Sequence, residues 1–204
     1  MKTITKGISL TATSLFTAML LFGGSHARAE EDWHRKGTWE VYGSGQYLFG
    51  DTVDFSKFGV RVDIDDTALF GLGAGYHITD HWAVSLDLLA GQTDFNSSGM
   101  QLALRESAFV IGSNLNVEYN FLRGRVSPLV RAGVGFYNFS DLDLYAGVTH
   151  DETDFAWNVG GGLRWNVTDH FVLKLVGGAS WTNLKDSSSA AQFGFVTLGI
   201  GASF

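Results

Sequence analysis

The chain has 204 residues, with 21 acidic against 14 basic side chains, 26 glycines, one proline, no cysteine and 14% aromatics. Without cysteine there are no disulfides and no zinc–thiolate chemistry. The acidic balance also argues against nucleic acid, which rewards clustered Lys and Arg, and the length suits one domain.

The N-terminus reads as an export signal over residues 1–29. Lys2 and Lys6 precede an apolar stretch from Ile8 to about Gly24, and Ala27-Arg28-Ala29 supplies the small-x-small pattern of a cleavage site. A membrane anchor fits less well, because Thr11, Thr13, Ser14 and Thr17 interrupt the stretch, which falls short of the ~20 residues of a spanning helix. Removing this segment takes away Lys2, Lys6 and Arg28 and no acidic residue, leaving a net charge near −10. Residues 30–37 then form a short N-terminal segment before a domain over 38–204.

From there the residues alternate. In "TWEVYGSGQYLF", Trp39, Val41, Tyr47 and Phe49 face away from Glu40, Tyr42, Ser44 and Gln46. "ALFGLGAGYHI" sets Ala68, Phe70, Leu72, Ala74, Tyr76 and Ile78 against three glycines and His77, and "HWAVSLDLLAG" sets Trp82, Val84, Leu86, Leu88 and Ala90 against Ser85 and Asp87. "ESAFVIGSNLNVEYNF" opposes Phe109, Ile111, Leu115, Val117, Tyr119 and Phe121 to Asn114, Asn116, Glu118 and Asn120. "PLVRAGVGF", "FAWNVGGGLRW" and "FVLKLVGGASW" continue the pattern, and "VTLGIGASF" ends it, with Val196, Leu198, Ile200, Ala202 and Phe204 on one face. A period of two is a strand period; helical spacing would mix Asn116 and Glu118 into the apolar stripe.

These segments predict eight strands, each reaching the ~9–11 residues that a tilted strand needs to cross a bilayer. Strands in hydrocarbon must close on themselves, since an open edge leaves backbone groups unpaired. The expected fold is therefore all-β: an eight-stranded antiparallel up-and-down transmembrane β-barrel. Short turns at Thr79-Asp80, Arg123 to Arg125 and Thr168-Asp169 alternate with longer connections near Gly50 to Thr67, Thr93 to Leu104, Ser140 to Thr153 and Asn183 to Ala190. Short turns face the periplasm in bacterial outer-membrane barrels, which predicts both barrel termini in the periplasm. "GYHITDHWAVSL" and "RWNVTDHFVLKL" share hydrophobic-Thr-Asp-His-aromatic, through an old duplication or because similar turns select similar residues.

The export signal, the alternating strands, the paired "TDH" hairpins and the final Phe together resemble the small outer-membrane β-barrels of the OmpA, OmpX and surface-opacity type, over about residues 38–204. "SPLVRAGVGFY", "GGGLRWNVTDHFVLK" and "VTLGIGASF" carry the resemblance most specifically. It implies that the barrel-assembly machinery reads Val196, Leu198, Ile200, Ala202 and Phe204 as an assembly signal. The chain departs from OmpA in that no peptidoglycan-binding domain follows the last strand.

With the apolar faces outward, Glu40, Asp87 and Glu118 meet Arg131, Arg164 and Lys174 inside. An eight-stranded interior is only wide enough for side chains, so this lumen charge cluster is either an ion gate or a polar plug that fixes register, and the narrow lumen favours the plug. Trp39, Trp82, Trp157, Trp165 and Trp181, with Tyr47 and Tyr119, fit interfacial aromatic girdles; a carbohydrate platform is the sharper alternative.

Acidic loops hold Asp51, Asp54, Asp63, Asp65 and Asp66, and Asp141, Asp143, Asp151, Glu152 and Asp154. They could collect divalent cations that bridge to lipopolysaccharide, but their spacing matches no EF-hand, and a solvated surface is the simpler reading. Ser140 and His150 are a nucleophile and base on the external side without strand-fixed spacing.

The expectation is a non-enzymatic, monomeric surface protein of the outer membrane, without metal or cofactor. It would touch lipid and lipopolysaccharide, pass through the assembly machinery, and contribute to envelope integrity or offer its loops to a host surface ligand. The alternative is a narrow channel for ions or small hydrophobic solutes of the OmpW kind, with a lipid A-modifying enzyme behind it.

Overall fold

The computed structural model describes residues 33–50, 52–55, 60–98, 104–143, 149–182 and 191–204; the expected export signal lies outside them. The strands are β1 (Trp39–Phe49), β2 (Thr52–Phe55), β3 (Val60–Ile64), β4 (Thr67–His77), β5 (Trp82–Ser98), β6 (Leu104–Asn120), β7 (Val126–Asp143), β8 (Thr149–Asn166), β9 (Phe171–Thr182) and β10 (Ala191–Ser203). Neighbours pair in the order β2-β3-β5-β4-β1-β10-β9-β8-β7-β6, and a β5–β6 pairing joins the far strand back into the sheet. The eight long strands therefore form a closed antiparallel barrel. Its seam is β1 against β10, in register from Glu40↔Ser203 to Phe49↔Gly194.

The alternation of the sequence becomes two chemically distinct surfaces. Phe70 and Leu72 on β4 are 69% and 66% exposed, while Leu69, on the lumen face of the same strand, is fully buried. The outer face is apolar on strand after strand, including Leu86 and Leu88 on β5, Ile111 and Leu115 on β6, and Leu198 and Ile200 on β10. Soluble monomers rarely show continuous apolar surface of this extent; a barrel in hydrocarbon requires it.

The expected long connection between Gly50 and Thr67 contains the β2–β3 hairpin, which joins the sheet where Arg61–Ile64 pairs with Phe95–Ser98 of β5. Its residues, "TVDF" and "VRVDI", already alternate, and their β-branched and aromatic content suits a strand. The expected connections over Thr93–Leu104 and Ser140–Thr153 are shorter than anticipated as well. Strand β5 runs on to Ser98, β7 to Asp143, and β8 begins at Thr149. These hairpins also separate from each other: β6–β7 pairing stops at Phe109↔Ser140, whereas β5–β6 continues to Ser97↔Leu104 and β7–β8 to Asp143↔Thr149.

Glycine sets how closely the walls approach. At Gly71 an added Cβ would collide with the Leu88 carbonyl oxygen of β5, whereas at outward Gly161 the nearest atom is the Leu129 carbonyl oxygen at 3.5 Å. Gly71→Val is expected to destabilise the barrel by roughly 1–3 kcal/mol, and Gly161→Val by no more than about 0.5 kcal/mol. The thermal midpoint of the heat-modifiable gel band checks both, and equal midpoints for the two variants would contradict the packing described.

Candidate functional site

The barrel interior is stratified, and its layer nearest the short turns is ionic. Glu40 on β1 pairs with Arg164 on β8 and accepts from Lys174 Nζ on β9 at 2.9 Å, while Lys174 also reaches Glu118 on β6 at 3.0 Å. His77 on β4 sits between Glu40 and Arg164, its Nε2 at 3.0 Å from each partner atom. Ser85 donates to Glu118 at 3.1 Å, and the Arg164 Nε donates to the Asn166 amide oxygen at 3.2 Å.

A second group centres on Asp87 of β5. It accepts from Tyr42 OH at 2.7 Å and the Asn116 amide at 2.9 Å, and Arg131 of β7 lies at 3.4 Å. Lys174 Nζ stands 4.8 Å from the Tyr42 ring and links the two groups. All six charged residues read from the sequence are buried and lie in this network, with carboxylates and cations equal in number. Charge balance of this kind is what makes ionised groups tolerable away from water.

Toward the long loops the lumen turns apolar. Leu69, Leu89, Val110, Tyr137 and Ala156 pack together, and Leu48 also touches a second cluster of Phe195, Val176 and Leu129, which runs down the wall to the level of the ions, Leu129 preceding Arg131 on β7. Beyond this layer a shallow cup opens, floored by Leu48, Leu69, Val110 and Tyr137 and rimmed by Thr67, Thr93, Ser180 and Phe193.

The opposite end is sealed by the segment before β1. Arg35 is 1% exposed, and its guanidinium donates to the carbonyls of Leu122 at 2.8 Å, Gly124 at 2.7 Å and Asp80 at 3.3 Å. Asp80 in turn accepts from the backbone N–H groups of Lys36 at 3.1 Å and Arg35 at 3.0 Å. Gly37, with φ +83°, makes the turn into β1 that places these groups. The Lys36 amide, then that of Arg35, with Arg123 and His34 beside them, holds the Asp80 carboxyl below its ordinary range.

Both "TDH" turns have one geometry. Thr79 Oγ1 accepts from the Trp82 amide at 2.8 Å and Thr168 Oγ1 from the Phe171 amide at 3.0 Å. His81 Nδ1 contacts the Asn120 carbonyl at 2.7 Å and His170 Nδ1 the Ser203 carbonyl at 3.3 Å, each reaching the adjacent strand. The shared residues are thus those the turn itself uses.

Aromatics collect near both ends of the outer face. Trp39 packs on Tyr76 and Trp82 on Tyr119 toward the short turns, where Trp165 is also exposed. Trp157 stacks on Trp181 at 4.1 Å toward the loops, and Tyr47 contacts Phe49. From Trp157 to Trp165 along β8 is roughly 26 Å at strand rise, or roughly 20 Å of height once the strand is tilted as barrel strands are. On β10, Val196, Leu198, Ile200, Ala202 and Phe204 face outward, and Phe204 exchanges backbone hydrogen bonds with Trp39 at 2.7 and 2.9 Å.

Several expected loop residues lie within strands instead: Asp54 in β2, Asp63 in β3, Ser140, Asp141 and Asp143 in β7, and His150, Asp151, Glu152 and Asp154 in β8. Of these Asp154 is buried, at 6% exposure, because β8 runs past the anticipated boundary and its even-numbered residues point inward. Asp66 is where the loop reading put it, accepting from Tyr47 OH at 2.9 Å and the Gly50 amide at 2.7 Å. Those bonds, the Gly50 amide first, lower its carboxyl pKa. Asp51 and the side chains of Asp54, Asp63, Ser140, Asp141, Asp143, His150, Asp151 and Glu152 lie outside the described residues. Among the described residues, no three His, Asp or Glu side chains gather as metal ligands. Sequence reading did not single out Arg35, Tyr42 or His77 for the network; the inward face of "GYHI" marked His77, but nothing local marks Arg35.

Glu40→Gln removes the carboxylate shared by Arg164 and Lys174, with an expected loss of roughly 3–5 kcal/mol. Arg131→Leu should lose less, since its Asp87 contact is longer and Tyr42 and Asn116 still satisfy that carboxylate. Thermal midpoints in detergent give the order, and Arg131→Leu exceeding Glu40→Gln would contradict it. A carboxylate with a depressed folded pKa stabilises above its unfolded value, and that contribution is lost as pH falls through the folded one. The clasp at Asp80 should therefore persist through about pH 4 and open below it. The Arg35 and Lys36 amide resonances in a bilayer nanodisc report this directly, and early titration with an ordinary carboxylate midpoint would refute it.

A family model described as "Outer membrane protein beta-barrel domain" matches residues 14–204. The structure is similar to that of the outer membrane protein OprG from Pseudomonas aeruginosa, with TM-score 0.62 and 13% identity over 85% of this chain and 98% of that one. It is also similar to the N-terminal β-barrel domain of OprF from Pseudomonas aeruginosa, at TM-score 0.53 and 18% identity, covering 83% and 98%. AlkL, determined in lipid bilayers, gives TM-score 0.53 at 18% identity, covering 89% and 95%. No curated protein sequence matches the chain. At these identities the structures speak for the fold alone, and the family model supplies the assignment: the chain belongs to the outer-membrane β-barrel protein family.

Proposed function

We propose that this barrel is a non-enzymatic, monomeric surface protein with a closed lumen, which stabilises the envelope and presents its long hairpins to an external ligand. One observation carries the reading: the interior is crossed first by a charge-balanced ionic layer and then by an apolar one, with Arg164 and Lys174 both paired to Glu40. Ions crossing it would have to break buried pairs and then enter an apolar layer, and both steps are costly. The six charged residues act as a plug that fixes strand register. The projecting β5–β6 and β7–β8 hairpins and the β2–β3 unit beside them supply the binding surface.

In the same reading the short turns and both barrel termini face the periplasm, as in other outer-membrane barrels. The outward residues Val196, Leu198, Ile200, Ala202 and Phe204 serve as the assembly signal; their exposure leaves them legible before lipid covers them. Lipid and lipopolysaccharide form the surroundings, and no cofactor is used.

The apolar cup favours a second reading, in which a small hydrophobic solute enters from the loop end. Single-channel recording in planar bilayers separates a closed scaffold from an ion channel: the wild type is expected to show no steady open level. A reproducible conductance that changes on Lys174→Gln would replace the plug by a channel. Uptake of an apolar dye into vesicles, with no ion current, would select the solute reading.

A further inference from the structure

Among the described residues, the sealed turn end carries more positive charge than its own contacts use. Lys36, Arg123 and Arg125 are exposed on this rim. The Trp33 amide donates to the Arg123 carbonyl at 3.1 Å, and the Arg125 guanidinium lies 5.5 Å from the Trp33 ring centroid. Among the described residues, one carboxylate serves this sector: Asp80, at 3.6 Å from Arg123 Nε and already accepting from two backbone amides. Asp169, in the β8–β9 connection, and Phe204, at the end of β10, belong to other sectors of the rim. The seal itself depends on Arg35 and the backbone; of these three side chains only Arg123 also touches the clasp, through Asp80.

The surroundings of these cations are apolar. Arg123 and Arg125 alternate with exposed Phe121, Leu122 and Val126, and Trp82 and Tyr119 of the aromatic ring stand at the neighbouring turn. A patch built for a soluble acidic partner has no need of Phe121 and Leu122 beside its arginines. A patch at headgroup depth needs both features, with aromatics and aliphatics in the acyl boundary and cations at the phosphates.

We infer that Lys36, Arg123 and Arg125 bind the phosphodiester headgroups of anionic phospholipids at the turn end of the barrel. This rests on the membrane-spanning reading of the family, and the test keeps the two apart.

The purified barrel is refolded into phosphatidylcholine vesicles and into the same vesicles carrying phosphatidylglycerol, and unfolding is followed by the heat-modifiable gel band. A folded band in neutral vesicles establishes the inserted barrel on its own. The inference requires a midpoint higher by a few degrees with phosphatidylglycerol, and loss of that gain in molar salt, where screening falls to about 3 Å. It also requires that K36Q/R125Q, which leaves the Arg123–Asp80 pair in place, keep the neutral-vesicle midpoint and lose most of the gain. If that double variant does not fold, Lys36→Gln alone, whose backbone amide and not its side chain holds Asp80, should lose about a third of the gain if the three cations share it equally. No gain in the wild type, a gain indifferent to salt, or a gain retained by the variant that folds would overturn it and leave the patch to a soluble anionic partner.

Discussion

Between the two aromatic rings every backbone N–H and C=O has to find its partner within the sheet, because hydrocarbon offers none. The β1–β10 seam meets that demand from Glu40↔Ser203 to Phe49↔Gly194, and the Trp39–Phe204 exchange carries it to the last residue. Once the sheet must close with eight strands, its interior has room for side chains and little else. The outer face is then obliged to be apolar, and whatever polar character the chain keeps in this zone must fit and pair inside.

That confinement gives the ionic layer its form. The network draws side chains from seven of the eight barrel strands, from Glu40 on β1 to Lys174 on β9. A strand slipping by two residues keeps its faces correct but carries its charged residue about 6.6 Å along the axis of the strand, out of reach of its partner. Alternation therefore specifies which face looks inward, and the ion pairs add what alternation cannot, the height of each strand. Buried pairs seldom add net stability over well-packed apolar groups, but a misregistered barrel would hold unpaired charges in a low-dielectric interior, and that penalty falls on the competing structures.

This division explains what could be read in advance. Face is a local property of period two, so the inward direction of Glu40, Asp87, Glu118, Arg131, Arg164 and Lys174 followed from neighbouring residues. Partnership is not local: that Glu40 is shared by Arg164 and Lys174 depends on tilt and stagger around the closed sheet, which no single segment encodes. Boundaries at the loop end failed for a related reason. Polar residues such as Asp154 read as loop, yet a strand extending past the membrane has an inner face that accepts them. The β2–β3 hairpin was passed over because its strands of four and five residues are too short to cross a bilayer, although their composition suits a sheet. Arg35 carries no pattern at all. Its burial follows from three carbonyls, at Asp80, Leu122 and Gly124, that converge only after the turns have formed.

The two ends meet their surroundings differently, and the difference follows from connection length. A short turn cannot cover the mouth of the barrel, so a separate piece of chain closes it. Arg35 does so by donating to carbonyls that the turns leave without strand partners. Its charge is spread over backbone dipoles, with Asp80 alongside, rather than matched within a side-chain pair as in the lumen. At the other end the strands overrun the membrane and diverge between β6 and β7, so their chemistry is exposed on hairpins instead of gathered in a pore. On the reading proposed above, a barrel closed in its middle by paired charges and at one mouth by its own N-terminal segment acts through its outer wall and its hairpins. Hairpins can change sequence without disturbing the register on which the wall depends.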